Sequence, residues 1–209
     1  MTLFPKLNPR KFRERSLEDL LAGVPEGHRN ERLHLGCGNV HLEGWCNIDF
    51  RETPATDKVQ DVFKLPDISP GSAGVIYACH VLEHCGLAPN THMPSYPEVL
   101  YRWFEVLVPG GVLFVAVPDL KLVFKGLLRF EGAPEGKGFL AALYGGQNYP
   151  GNAHFCGFTE KMLERAMGDA GFESPGPFRS FSKDTSTFIL NGLPISLNLA
   201  AKKPTKSQR

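Results

Sequence analysis

The chain has 209 residues, 42% hydrophobic and 22% charged, and its 23 basic and 22 acidic side chains leave a formal net charge of +1. That is an ordinary globular balance at a length that suits one large domain, and so even a charge sets up no field to draw in nucleic acid or an anionic membrane. No apolar run approaches the ~20 residues that span a bilayer, and the basic N-terminus (Lys6, Arg10, Lys11, Arg13, Arg15) lacks the apolar stretch of a secretory signal.

Residues 1–15 read as a poorly ordered basic arm. Ser16 is placed to cap a short helix over 16–21, which Gly23 can end. Residues 33–35 form a short apolar strand that stops at Gly36. Residues 45–49 form a second strand ending on Asp49, 58–63 a third and 75–79 a fourth, the last rich in strand formers. Val99, Leu100, Trp103, Phe104 and Leu107 then keep helical spacing, and Pro109-Gly110-Gly111 ends that helix. The continuous apolar run 112–117 suits a strand buried on both faces. Residues 126–157 are rich in glycine and read as an insertion with short helices. Thr159 caps a further helix with Leu163, Ala166, Met167 and Ala170 on one face, and Phe158 and Leu163 are spaced as a hydrophobic staple. Late strands are expected over 178–181 and 195–200, with a polar tail from Lys202. Strands alternating with helices predict an α/β, doubly wound sheet, with ligands at the carboxyl ends of its strands. The expected organisation is an arm and short helix over 1–29, one domain over 30–203 and a tail over 204–209.

Gly36-Cys37-Gly38 directly follows a strand, where two residues without Cβ atoms let the backbone turn sharply beside a ligand. A carboxylate at Asp49, on the end of the next strand, can accept both hydroxyls of a ribose. Asp61 beside Val62 and Phe63 can hydrogen-bond an adenine edge and cover its faces. Each signal alone has a bland reading as a tight turn or a solvated cap. Their order and spacing together point to an adenosine-type cofactor.

The ordered pieces Leu33-His34-Leu35-Gly36-Cys37-Gly38, Asn47-Ile48-Asp49, Asp61-Val62, His80-Val81-Leu82-Glu83-His84, Leu107-Val108-Pro109-Gly110-Gly111 and Val117-Pro118-Asp119 resemble a class I S-adenosylmethionine-dependent methyltransferase. The resemblance covers about residues 30–203, and its His-Val-Leu-Glu-His and Pro-Gly-Gly pieces are similar to the "type 11" group. It implies a mostly parallel, seven-stranded Rossmann-like sheet with helices on both faces. It also implies S-adenosyl-L-methionine as cofactor. Gly36 and Gly38 would face its methionine part, Asp49 would hold its ribose, and Asp61 and Val62 would contact its adenine, with Cys37 and Phe50 also among the cofactor-binding residues. Cys79 and His80 would floor the site. One departure is plain: ten residues separate Gly38 from Asp49, including Gly44, too few for a helix and a strand. A short crossover loop over 39–44 is expected, with little or no helix dipole behind the glycines. A subset of bacterial methyltransferases, some found with glycan-building enzymes, is similar here and around Gly145-Gly146-Gln147, His154 and Gly157-Phe158-Thr159.

The activity so implied is methyl transfer to an oxygen or nitrogen of a small molecule or glycan. An acceptor hydroxyl needs a base, for which His154 and His84 are the candidates. Tying down the glycine-rich loop is the plainer role for His154. His80-Val81-Leu82-Glu83-His84 also spells H-x-x-E-H, the inverted zinc-protease motif, between Cys79 and Cys85. That motif needs a helix, whereas this one leaves a strand, so no metal is expected. A non-catalytic methyltransferase-like module is the alternative suggested by the short crossover. A nicotinamide oxidoreductase is disfavoured because Val40-His41 stands where a third glycine belongs. The odd set of cysteines (Cys37, Cys46, Cys79, Cys85, Cys156), in a chain too large to need staples, reads as reduced thiols in a cytoplasmic protein.

Overall fold

The computed structural model describes residues 14–88 and 93–205. Most of the expected arm and the last four residues of the tail lie outside that range. The main sheet contains β1 (Arg32–Leu35), β2 (Cys46–Asp49), β3 (Lys58–Val59), β4 (Ala73–Cys79), β5 (Leu107–Pro118), β6 (Glu173–Pro177) and β9 (Ser196–Lys202). A separate two-stranded hairpin is made by β7 (Ile189–Leu190) and β8 (Leu193–Pro194). The helices are α1 (Leu17–Leu21), α2 (Tyr96–Val106), α3 (Leu120–Arg129), α4 (Gly136–Tyr144) and α5 (Glu160–Asp169). Strand order is β3-β2-β1-β4-β5-β9-β6. The pairings from β3 to β5 are parallel, and β9 runs antiparallel to both β5 and β6. The chain therefore winds outward from β1 in one direction and from β4 in the other, and the crevice between them is where such sheets bind ligands.

Alternation along the central strands builds two cores. Ile76, Ala78, Leu113, Val115 and Val117 face one side and pack with Val99, Trp103, Leu163 and Met167 of α2 and α5. Val75, Tyr77, Val112, Phe114 and Ala116 face the other and pack with Leu20, Val24 and Phe178. Residues 112–117 are fully buried, as the apolar run requires, and burial of each such aliphatic side chain stabilises by about 1.5–3 kcal/mol. The second face has a compositional reason to be aromatic. With no helix between β1 and β2, the five-residue α1 is the α-helix that packs on it among the described residues, and the rings of Trp45, Tyr77, Phe114, Phe178 and Phe181 fill the space, stacked, tilted or edge-on at 4.8–6.4 Å. The α1 helix starts where expected, with Ser16 Oγ accepting from the Asp19 amide at 3.1 Å.

Several boundaries differ from the sequence expectation. The strand expected over 58–63 is only β3, because Asp61 turns the backbone by accepting the Phe63 and Lys64 amides at 2.8 and 3.2 Å. The strand expected from 112 begins at Leu107, since Leu107 pairs with Ala73 and an irregularity at Ala73/Val75 absorbs the Pro-Gly-Gly turn. The strand expected over 178–181 lies earlier, at β6. That strand contains Pro175 and Pro177 and survives because it is at the sheet edge. Arg15 also holds it, reaching the carbonyls of Gly176 and Ala200 at 2.9 and 2.6 Å. The β7–β8 hairpin is not anticipated at all. Among the described residues no helix is long and apolar enough to cross a membrane.

Candidate functional site

A cavity of about 1130 Å³ opens at the carboxyl ends of the parallel strands. At its edge, β1 runs into Gly36 and Gly38, both in the left-handed region (φ 66° and 56°). A Cβ on Gly36 would also collide with the side chain of Val81. The Gly36 and Cys37 amides both donate to the Ile48 carbonyl, at 2.8 and 3.1 Å, so the turn is sewn to β2. No helix stands between Gly38 and β2, as the ten-residue spacing requires. Asp49 takes over part of that helix's role. One carboxylate oxygen accepts from the Gly38 amide at 2.8 Å and the other from the Arg51 amide at 2.9 Å. Asp49 is buried yet lines the cavity. Arg51 Nε also reaches that second oxygen, at 3.4 Å, so the oxygen on Gly38 is the one that retains a free lone pair.

Phe50, half-exposed, and Arg51 follow on the rim. The Arg51 guanidinium lies 4.7 Å from the Tyr149 ring and 5.5 Å from that of Phe50. These contacts lay the glycine-rich segment 145–154 against the end of β2. Further along, Gln60 is buried, its side-chain oxygen accepts from the Asp67 amide at 3.3 Å, and its Nε2 has no partner among the described residues. Asp61 and Val62 come next, with the Val62 carbonyl held by Trp103 Nε1 at 2.9 Å. Cys37 is a buried filler near Ala55 and Thr56, and burial raises its thiol above the ordinary range.

The floor is the end of β4. Burial, helped by the charge of Asp184, pushes the Cys79 thiol up to about 12, so it stays protonated beside Thr185 Oγ1 at 3.3 Å. The Tyr77 hydroxyl donates to Asp184 at 2.6 Å. His80 adopts φ 55°, a left-handed conformation that costs a non-glycine residue of the order of 1–3 kcal/mol. Its amide donates to Ala116, and its Nε2 lies 3.1 Å from Ser196 Oγ.

A 3₁₀ turn, Leu82–His84, follows. The loop carrying His154 folds onto it: the Phe155 and Cys156 amides both donate to the Glu83 carbonyl, at 2.9 and 3.2 Å. This brings the His84 and His154 rings to 4.8 Å, edge to face. Each uses Nδ1 toward a backbone carbonyl, His84 on Ala153 at 2.9 Å and His154 on Ala142 at 3.1 Å. Those bonds assign the proton to Nδ1 and the lone pair to Nε2. Burial lowers the His154 pKa, which the Glu83 charge only partly offsets, so the imidazole is neutral at neutral pH.

Gly36, Cys37, Gly38, Asp49, Phe50, Asp61, Val62, Cys79, His80, His84 and His154 thus all line one cavity. Gln60, Arg51, Tyr149 and Asp184 share it without having been singled out. Of these, only Asp184 carried a local signal, as the N-cap of the turn Thr185–Thr187.

No protein-family model and no curated protein matches the chain. Solved structures do. A chain from the complex of the Haloferax volcanii Trm112 methyltransferase activator with its candidate methyltransferase is 13% identical, with a TM-score of 0.51 over 90% of this chain and 88% of that one. A SAM-dependent methyltransferase from Thermotoga maritima is 14% identical, with a TM-score of 0.50 over 88% and 87%. The trans-methyltransferase CalH, solved with S-adenosylhomocysteine, is 15% identical with a TM-score of 0.52. The match covers 88% of this chain and about half (54%) of that one. At such identities these likenesses establish the fold, which is the class I methyltransferase fold.

Proposed function

We propose that the chain is an S-adenosylmethionine-dependent methyltransferase acting on an oxygen or nitrogen of a small molecule or glycan. The observation that carries this reading is the Gly38–Asp49 bond at the edge of the cavity. It holds a carboxylate with a free lone pair on one oxygen beside a glycine turn, at the switch point of the sheet. The residues present fit the cofactor. Gln60 keeps an unpartnered buried donor between Asp49 and Asp61, where an adenosine needs polar contacts. S-adenosylmethionine has no phosphate, so the missing helix N-terminus costs it little. The volume, just above the usual range for small-ligand sites, leaves room for a second molecule.

In this reading Asp49 and Phe50 hold the ribose, Asp61 and Val62 the adenine, and Gly36 to Gly38 the methionine part, over a floor of Cys79 and His80. When bound, the cofactor supplies an activated methyl group on a sulfonium. The chain's own work is alignment, which alone can lower a barrier by ~7–11 kcal/mol. A neutral His154 is suited to take the proton of an acceptor hydroxyl on Nε2, with His84 beside it. Calorimetry with S-adenosylmethionine and S-adenosylhomocysteine tests the reading, and no binding at millimolar ligand would sink it. Binding without turnover over a broad acceptor panel would favour a non-catalytic module instead.

A further inference from the structure

We infer that Glu83, His84 and His154 form a binding site for a first-row divalent transition-metal ion in the wall of the cavity. One donor atom from each lies within 4.8 Å of the others. Ligands around a tetrahedral zinc at ~2.1 Å stand about 3.4 Å apart, so inward rotation of three side chains closes the set.

Three features make this more than a cluster. First, both histidines anchor Nδ1 on backbone carbonyls, Ala153 and Ala142, and so present Nε2 in the tautomer a metal needs. Second, Glu83 is 1% exposed, and neither carboxylate oxygen accepts a hydrogen bond among the described residues. His80 Nδ1, 3.1 Å from Oε1, is placed to meet part of its charge, while neither oxygen has a hydrogen bond of good geometry. A carboxylate this deeply buried is further stabilised by a cation set against it. Third, the donors come from two segments locked together by the Phe155 and Cys156 amides on the Glu83 carbonyl, so the arrangement is held without the ion.

The sequence expectation of no metal rested on the whole H-x-x-E-H motif needing a helix. The structure uses only its second half, and takes the third donor from a loop 70 residues downstream. The neighbouring cysteines stay out: Cys79 faces Thr185, Cys85 is buried in the core, and Cys156 Sγ faces the Leu82 carbonyl at 3.3 Å. Two imidazoles and one carboxylate suit zinc, cobalt, iron or nickel rather than magnesium or calcium. His84 and His154 line the cavity, so a position left open by three protein ligands faces it. There the ion is placed to bind an oxygen of the acceptor and lower its pKa, which replaces His154 as the base, because an Nε2 bound to the ion has no free lone pair for a proton. This last role rests on the methyl-transfer reading; ion binding does not.

The test is a titration of the tag-free full chain with cobalt(II) chloride, followed by visible absorption and calorimetry, with zinc as competitor. One ion per chain is expected, displaced by zinc. His84→Ala and His154→Ala should each weaken it by more than about 100-fold, since even residues behind the ligands contribute 10–100-fold. Glu83→Gln should weaken it too. S-adenosylmethionine affinity, measured on the same variants, should stay within a few-fold of the parent, so a failed metal site and a failed cofactor site read differently. Absence of a cobalt band, or uptake equal in the parent and both histidine variants, would overturn the site and leave a metal-free histidine–carboxylate cluster in its place.

Discussion

Gly38 donates its amide hydrogen to the Asp49 carboxylate at 2.8 Å, and that bond ties the turn after β1 to the end of β2. In a fold of this type a helix would ordinarily follow the glycines. Here one acidic side chain holds the turn in shape and also lines the cavity.

Asp49→Ala should therefore lose cofactor affinity. A hydrogen bond to a charged group contributes about 1.5–3 kcal/mol, which corresponds to a loss of roughly 10–100-fold. Asp49→Asn should retain one acceptor oxygen and lose less. Calorimetric titration with S-adenosylhomocysteine, with circular dichroism to verify folding, measures both. Equal affinity in all three proteins would remove Asp49 from the cofactor site.

Gly36 is constrained twice, by φ 66° and by Val81 against the position of its absent Cβ. Gly36→Ala combines the left-handed cost of about 1–2 kcal/mol with overpacking of about 1–3 kcal/mol. A loss of roughly 2–5 kcal/mol in urea unfolding is expected. Val81→Ala in the same chain should recover part of that loss by removing the collision, leaving the dihedral cost. A double mutant no more stable than Gly36→Ala would place the whole effect in the backbone.

The glycine turn, Asp49 and Asp61 were legible because each is a local feature in a fixed order, and the missing helix was legible because chain length leaves no room for one. What escaped was non-local. Nothing near Glu173 or Pro177 announces a strand; β6 exists because Arg15 and β9 supply its partners from far along the chain. His84 and His154 were each noticed separately. Their meeting depends on two amides of one loop finding the Glu83 carbonyl, which no periodicity encodes. The aromatic cover of the second sheet face follows from the short crossover, yet sequence spacing does not reveal that Phe178 and Phe181 supply it rather than extend a strand.

Arg51 lies over Tyr149 and Phe50 and so fastens segment 145–154 at the mouth of the cavity. Cation–π contacts of this partly exposed kind contribute about 0.5–1 kcal/mol each. Arg51→Ala should speed hydrogen exchange of amides in 145–154 several-fold while leaving β4 and β5 unchanged. Arg51→Lys should lie between the two, since an ammonium lacks the planar stack. An unchanged exchange rate in that segment would mean that its own bonds, Gln147 to Asn152 and His154 to Tyr144, suffice to hold it.

His34 should make stability depend on pH. It is 2% exposed, with Nδ1 at 2.9 Å from Asn47 Oδ1 and its ring stacked on Tyr77 at 5.4 Å. Burial lowers its pKa from 6.5, and the Asn47 contact only partly opposes that shift. The unfolded chain accordingly binds a proton below about pH 6.5 that the folded chain refuses, so stability rises with pH through this window. The contribution is fully present above the unfolded pKa and is lost as pH falls toward the lower folded value. One proton sets a limiting slope of about 1.4 kcal/mol per pH unit. His154 shifts in the same direction and adds its own slope, so the parent alone does not isolate His34. His34→Gln supplies the comparison, since an amide can still meet Asn47. Urea midpoints measured from pH 5 to 8 should fall less steeply toward acid in the variant, and parallel curves would show that the folded chain protonates His34 as readily as the unfolded one.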